Sequence, residues 1–189
     1  MSRNRYYILK SIVTIVVVAM LFSCTNNSNE VRALFLEKNL PIGVSKNINL
    51  VYKDSGRITM KLKSPWLNDY SNRKEHPFNE FPEGLKIISF KNKGKDSVSI
   101  TSNYGLSYSK TLISELKDSV VIINYKDNSK LETSQLFWDQ NTDYFFSEKK
   151  FKLTTETGTF YGIGFESKKD LSNFLAKKLS GSGTLASEN

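Results

Sequence analysis

Cysteine and histidine are almost missing from this chain: each occurs once, as Cys24 and His76. One cysteine forbids an internal disulfide and any cysteine-built metal cage. One histidine excludes a multi-histidine metal site and argues against a Ser-His-Asp triad; His76 stands in a charged loop, Asn72 to Pro77, as a solvated residue. A glycine-rich phosphate loop is missing too, because Gly158, Gly162 and Gly164 sit in strand-like sequence with no Lys-Ser/Thr pair after them. Acid pairs such as Asp118/Asp127 and Asp139/Asp143 fall near turns, where Asp is favoured anyway, and nothing selects a pair for catalysis. The sequence therefore predicts no enzyme, no metal and no cofactor. Prolines are few, and three of the four (Pro65, Pro77, Pro82) crowd into one stretch.

What is present is a foldable chain of 189 residues, 39% hydrophobic and 12% aromatic, too apolar to stay disordered and long enough for one domain with an appendage. Its net charge is +8. Part of that charge belongs to the first residues: Arg3, Arg5 and Lys10 precede an almost wholly apolar run from Ile12 to Phe22, and no acid occurs before Glu30. This is the pattern of an export signal. An eleven-residue helix spans only about 17 Å, short of a ~30 Å hydrocarbon core; counted back to Tyr6, the run also leaves an uncleaved signal anchor open. Leu21-Phe22-Ser23-Cys24 resembles a lipobox, the sequence at which bacterial lipoproteins are lipidated and cut. The expected division is a signal peptide over 1–23, a lipidated tether and lead-in over 24–44 starting at Cys24, and a β domain over 45–189. Removing 1–23 leaves +8 − 3 = +5. Interleaved aromatics and lysines near Phe145 to Phe151 superficially fit single-stranded nucleic acid, but an exported chain has no such partner.

Beyond Cys24 the apolar residues repeat at two, not 3.6. Ile48, Leu50 and Tyr52 alternate, Asp54-Ser55-Gly56 turns, and Ile58, Met60 and Leu62 alternate again, which predicts a hairpin. Pro65 to Gly84 reads as a long polar and aromatic connection. Strands are expected at Leu85–Phe90, Val98–Ile100, Leu106–Tyr108, Val121–Tyr125, Leu131–Trp138, Tyr144–Phe146, Phe151–Leu153 and Phe160–Phe165, with turns at Asn92-Lys93-Gly94, Asp127-Asn128, Asp139-Gln140-Asn141 and Thr157-Gly158. Such serial strands predict an all-β sandwich or barrel. Val31 to Leu40 reads as a short helix, and the stretch behind Asp170 as helix or hairpin, with strand favoured after Phe174. An internal repeat at an offset of 30 pairs Val121 with Phe151, Ile123 with Leu153, Leu131 with Tyr161 and Thr133 with Ile163.

Several segments in order resemble the LptC family of lipopolysaccharide export, in its Bacteroidetes-like form, over about Ile48 to Thr184: Tyr52-Lys53-Asp54-Ser55-Gly56-Arg57, Phe78-Asn79-Glu80-Phe81-Pro82-Glu83-Gly84-Leu85, Leu131 through Leu136-Phe137-Trp138-Asp139, Gly162-Ile163-Gly164-Phe165, and Lys178-Leu179-Ser180-Gly181. Many relatives keep the hydrophobic segment as a transmembrane helix, whereas the lipobox here points to a lipid anchor.

The resemblance implies an elongated antiparallel β-jellyroll, a V-shaped sandwich with an apolar channel. Such a protein takes lipopolysaccharide from the permease subunits of an inner-membrane ABC transporter and passes it to a periplasmic bridge protein of the LptA type. It would be periplasmic, lipid-anchored, with the inner membrane favoured, in a Gram-negative bacterium. Channel candidates are the residues expected on the inward side of the strands: Ile48, Leu50, Ile58, Met60, Ile100, Ile123, Leu131, Leu153, Tyr161 and Ile163. Edge contacts to the downstream bridge protein are expected around Gly162, Gly164, Phe165, Leu179 and Gly181, with the Ile48 to Tyr52 strand facing the transporter. A rival reading is a β-sandwich lipoprotein that binds carbohydrate or protein through Trp66, Tyr70 and Phe78, without lipid transport.

Overall fold

Alternation of apolar and polar residues sets the strands, and short polar turns fold them back on one another. The structure, a computed structural model, describes residues 40–180. Within them run β1 (Gly43–Asp54), β2 (Arg57–Tyr70), β3 (Phe78–Phe81), β4 (Leu85–Lys91), β5 (Asp96–Ser102), β6 (Tyr104–Tyr108), β7 (Ile113–Asn124), β8 (Ser129–Asp139), β9 (Tyr144–Thr155), β10 (Gly158–Lys168) and β11 (Leu175–Leu179), with a 3₁₀ turn at Asn92–Gly94. All pairings are antiparallel, and the strands form one continuous sheet. The all-β expectation holds, including strand after Phe174. Cys24, Gly181 and the helix expected at Val31 to Leu40 (except Leu40 itself) lie outside the described residues.

The β1–β2 hairpin closes as its sequence requires. Asp54 pairs with Arg57, and the two residues between them, Ser55 and Gly56, both have positive φ (48° and 78°). That is the mirror-image turn whose twist matches the strands it joins.

Long strands cross from one half of the sheet to the other, and short ones do not. On one side β2 pairs with β1 along its length; on the other, its first half pairs with β4 and its end with β3. Likewise β7 pairs throughout with β8, while its first half pairs with β6 and its second with β5. The sheet therefore has a β4/β5 half and a β3/β6 half, which share the long strands and fold toward each other. A row of irregularities marks the fold line. Lys117 and Val120 flank a bulge opposite β8, the β8–β9 register shifts between Thr133 and Phe137, and the β9–β10 register shifts at Gly164. In β7 the two bulged residues, Asp118 and Ser119, have φ of 58° and 54°.

Bending frees backbone groups that must find partners, and buried hydroxyls supply several. Ser64 donates to the carbonyls of Gly84 (2.6 Å) and Trp66 (2.8 Å). Thr133 donates to Lys150 O (2.9 Å), and Ser147 to Gln135 O (2.7 Å). Asn103 N–H reaches Asp118 O at 2.9 Å.

Both halves turn their inner faces into one core. Leu62, Ile87, Ile100, Ile122, Leu131 and Leu153 come from the β4/β5 half, and Phe81, Leu116, Leu136, Trp138, Phe145 and Phe165 from the β3/β6 half.

Three expectations are corrected. Pro65 to Gly84 is not one connection: β2 runs on through Pro65 to Tyr70, and β3 fills Phe78–Phe81. Tyr144–Phe146 and Phe151–Leu153 are two ends of one strand, β9, whose charged middle is the bulge at the fold line. The repeat exists as successive hairpins, β7–β8 and β9–β10, yet the offset of 30 sets outer residues against inner ones. Val120 corresponds to Phe151 and Ile122 to Leu153, all buried, while Leu131 corresponds to Phe160. The phase slips because the Asn124–Ser129 turn is two residues longer than the Thr155–Gly158 turn.

Candidate functional site

Between the two halves lies a narrow cavity of about 80 Å³. Leu50 and Tyr52 of β1 and Met60 and Leu62 of β2 line one side, and Leu67, Phe81, Leu116 and Trp138 approach from the other. Register explains the placement: Leu50 pairs with Leu62 and Tyr52 with Met60, so all four share the inner face. Yet Leu50 is 40% and Tyr52 44% exposed, because no strand beyond β1 covers them among the described residues. The core is thus closed in its middle and opens as an apolar slot along the β1 edge.

The expected channel residues divide into three groups. Ile100, Leu131 and Leu153 point inward and are buried, and Ile48 and Met60 pack against the core. Leu50 and Ile58 belong to the exposed edge hairpin, with Leu50 on the slot. Ile123, Tyr161 and Ile163 are corrected to the outer face: Ile123 alternates with buried Ile122, and Tyr161 and Ile163 pair with Lys152 and Lys150. Alternation shows that a strand has two faces without saying which is inside.

The expected partner edge shifts by one strand. Gly162, Gly164 and Phe165 lie on β10, and β11 covers it by pairing Gly162 with Leu179 and Phe165 with Ala176. A Cβ on Gly162 would stand 2.4 Å from Lys178 O and 2.6 Å from the Phe151 ring, so this glycine lets both come close. Gly164, at φ 71°, turns the strand at the bulge. Phe165 is fully buried. Of the set's described members, Leu179, 67% exposed, lies on β11.

Before Leu175 the stretch behind Asp170 is neither the helix nor the hairpin expected there. After β10 the chain crosses the mouth between the two halves as a strap, Lys169 to Phe174. On the β3/β6 side, the Lys169 N–H bonds Asp143 O at 2.8 Å, and its Nζ, within a buried side chain, meets Asp143 Oδ1 at 2.6 Å and lies 5.2 Å from the Trp138 ring. On the β4/β5 side, Asn124 donates to Asp170 O at 3.0 Å, and Lys91 pairs with the Asp170 carboxylate at 3.2 Å. Burial pushes the Asp170 pKa up, but hydrogen bonds from Ser172 and Lys91 outweigh it and hold the group below its ordinary value. Leu171 enters the core, and Phe174 stacks on Phe165 with centroids 5.4 Å apart. A polar cavity of about 270 Å³ lies beside the strap, lined by Lys91, Lys126, Asn124, Asp127 and Asp170 among others.

The outer face of the β3/β6 half carries Trp66, Tyr70 and Phe78. Tyr70 and Phe78 stack at 4.6 Å, Lys46 Nζ sits 4.5 Å from the Trp66 ring, and Trp66 Nε1 donates to Asn68 Oδ1 at 2.8 Å. Beside them Tyr104 donates to Glu80; burial and that carboxylate raise its pKa far above the ordinary value. Among the described residues no group of three or more His, Cys, Asp or Glu could hold a metal ion, and no helix is long and apolar enough to cross a membrane.

A single antiparallel sheet, folded along a line of bulges around an apolar slot, is a β-jellyroll open at its ends. The chain belongs to the LptC-related family of lipopolysaccharide assembly, whose family model matches residues 12–177. No protein with a curated description matches it. Membership assigns the chain a general part in the lipopolysaccharide transport bridge, in the periplasm of a Gram-negative bacterium; the family is one of bridge proteins rather than enzymes.

Proposed function

We propose that the slot receives the acyl chains of lipopolysaccharide from the permease subunits of an inner-membrane ABC transporter, and that the chains pass along the fold to a bridge protein of the LptA type. The observation that carries this is the open, apolar inner face at β1: Leu50, Tyr52 and Met60 border a cavity whose opposite wall is Leu67 and Phe81. Moving apolar surface from water onto such walls contributes about 25 cal/mol per Å². A cavity of about 80 Å³ equals only two or three water volumes of roughly 30 Å³ each. Loading therefore requires the two halves to part.

The two ends of the sheet offer β1 and β11 as docking edges. Each pairs with one neighbour among the described residues, and an added strand would bring main-chain hydrogen bonds. β1 suits the transporter side and β11, with Leu179, the downstream bridge. Lipidation at Cys24 would hold the domain at the membrane, the inner one favoured, since two or three acyl chains anchor durably where one does not.

The test is a photocrosslinker placed at Leu50 or Met60, with Ile123 on the outer face as control. Capture of lipopolysaccharide during active export is expected at the first two and not at the third. No capture at Leu50 and Met60 in a folded protein refutes the conduit. For the anchor, Cys24→Ala should leave an unlipidated chain, and normal processing and membrane retention of that variant would sink the lipidation. The carbohydrate-platform reading is disfavoured because Lys46 lies over the Trp66 ring and Tyr70 and Phe78 stack on each other.

A further inference from the structure

Charge is divided very unevenly between the two outer faces. On the β4/β5 half the outward positions carry Lys61 and Lys63 (β2), Lys86 (β4), Lys130 (β8), Lys150 and Lys152 (β9) and Lys178 (β11), all placed by register opposite the inward core residues. The single strand carboxylate among them is Glu132, already shared between Lys130 (2.8 Å) and Lys152 (3.6 Å). These seven lysines and Glu132 together sum to +6. On the other half, counting the pair at the fold line, Lys46, Lys117, Lys168 and Lys177 stand against Glu80, Glu115, Asp139, Glu148 and Glu166, a net of −1.

The lysines are interleaved with outward apolar side chains. Val51 pairs with Lys61, Ile88 also with Lys61, Tyr161 with Lys152, and Ile163 with both Lys150 and Lys178. Val51, Tyr161 and Ile163 are exposed. Among the described residues Lys63, Lys86, Lys150 and Lys178 make no ion pair, so their ammonium groups are available. A face bearing only spaced lysines would be explained by solubility. Exposed valine, isoleucine and tyrosine between them are not, and basic groups alternating with apolar and aromatic ones is the composition that settles into a head-group layer.

We propose that the outer face of the β4/β5 half docks on an anionic bilayer surface, with the lysines on lipid phosphates and Val51, Tyr161 and Ile163 in the head-group boundary. This lays the sheet flat on the membrane while the slot, opening at the β1 edge, stays accessible from the side. The proposal goes beyond the conduit reading and does not depend on it, nor on lipidation at Cys24, because any anchor brings the domain to the bilayer without choosing a face.

The test uses the full chain reconstituted in vesicles of phosphatidylcholine alone or with about 30% phosphatidylglycerol, labelled with a membrane-impermeant acetylating reagent and read by mass spectrometry. Lys63, Lys86 and Lys150 should react roughly threefold or more slowly on anionic than on neutral vesicles. Lys46 and Lys117 should react equally on both, and about 0.5 M salt should abolish the difference. The combined variant Lys63→Glu/Lys86→Glu/Lys150→Glu should lose protection at Lys61 and Lys152 while its thermal unfolding stays unchanged. Equal rates on both compositions, equal protection of Lys46 and Lys117, or protection that survives salt would each overturn the proposal. So would protection that appears only when transporter subunits are added, which would assign the face to a protein. None of these outcomes bears on capture of lipopolysaccharide at Leu50 or Met60, so the two readings fail separately.

Discussion

Gly162 is a place of close packing, and the contacts give its size. Alanine there would press on a backbone oxygen of β11 and on the Phe151 ring. Gly162→Ala is expected to cost about 1–3 kcal/mol by overpacking, measured by urea unfolding, and to speed amide exchange in β11 selectively. Gly56, whose Cβ would meet nothing within 4 Å, is the control; its alanine variant carries only the penalty of positive φ, about 1 kcal/mol. Ser147 is a second single-residue test. Its hydroxyl, 1% exposed, serves Gln135 O and the Lys149 N–H at the fold line. Ser147→Ala should cost about 1–2 kcal/mol by leaving these groups unpaired, and Ser147→Thr less.

At the scale of elements, the strap has an acid dependence whose sign follows from Asp170. Its folded pKa is depressed, so the unfolded chain binds the proton more readily. The contribution is complete above the ordinary carboxylate value near 4 and is lost as pH falls through the depressed one. Amide exchange at Leu171 to Phe174 should therefore accelerate below about pH 4 before that of β7, and Asp170→Asn should show the faster exchange already at neutral pH. Exchange that stays uniform across both segments would show that the ion pair does not fasten the strap. The strap also marks where sequence reading ended. The β1–β2 hairpin was legible because two clean alternations flank Asp54-Ser55-Gly56. β7, β9 and β2 were read short because Asp118-Ser119, Glu148-Lys149 and Ser64-Pro65 look like breaks. In each case a polar or proline-containing pair sits in mid-strand because the strand bends there and hydroxyls or loops satisfy the freed backbone. Leu171 and Phe174, three and six residues beyond the end of β10, share a helical spacing with Leu175 and Leu179, yet they enter a core made of other strands from an irregular segment.

For the whole molecule, the central prediction is that cargo and core compete for one space. Met60→Trp should fill the slot from the edge, reduce lipopolysaccharide crosslinking at Leu50 by tenfold or more and leave the unfolding temperature close to that of the parent. Leu131→Ala, in the closed middle of the core, should instead cost about 2–5 kcal/mol and lower crosslinking only through the fraction unfolded. Binding of acyl chains to the folded form alone should raise apparent stability with concentration, as RT ln(1 + [L]/Kd). The candidate site was only half legible for a reason of the same scale. Inner and outer residues of a strand look alike in an alternating sequence, and the slot is defined by which edge lacks a neighbour among the described residues.

The row of bulges makes the molecule a lever. The β4/β5 half of β7 runs five residues from Val120 to Asn124, about 16 Å at ~3.3 Å each. A rotation of about 20° at the fold line then moves the hairpin tips by roughly 6 Å, more than the ~4 Å separating touching carbon atoms. Ser64, Thr133 and Ser147 sit at the fulcrum, where displacement is least, and the strap ties the tips, where it is greatest. Opening wide enough for one hydrocarbon chain thus calls for release at the strap and almost no rearrangement at the hinge.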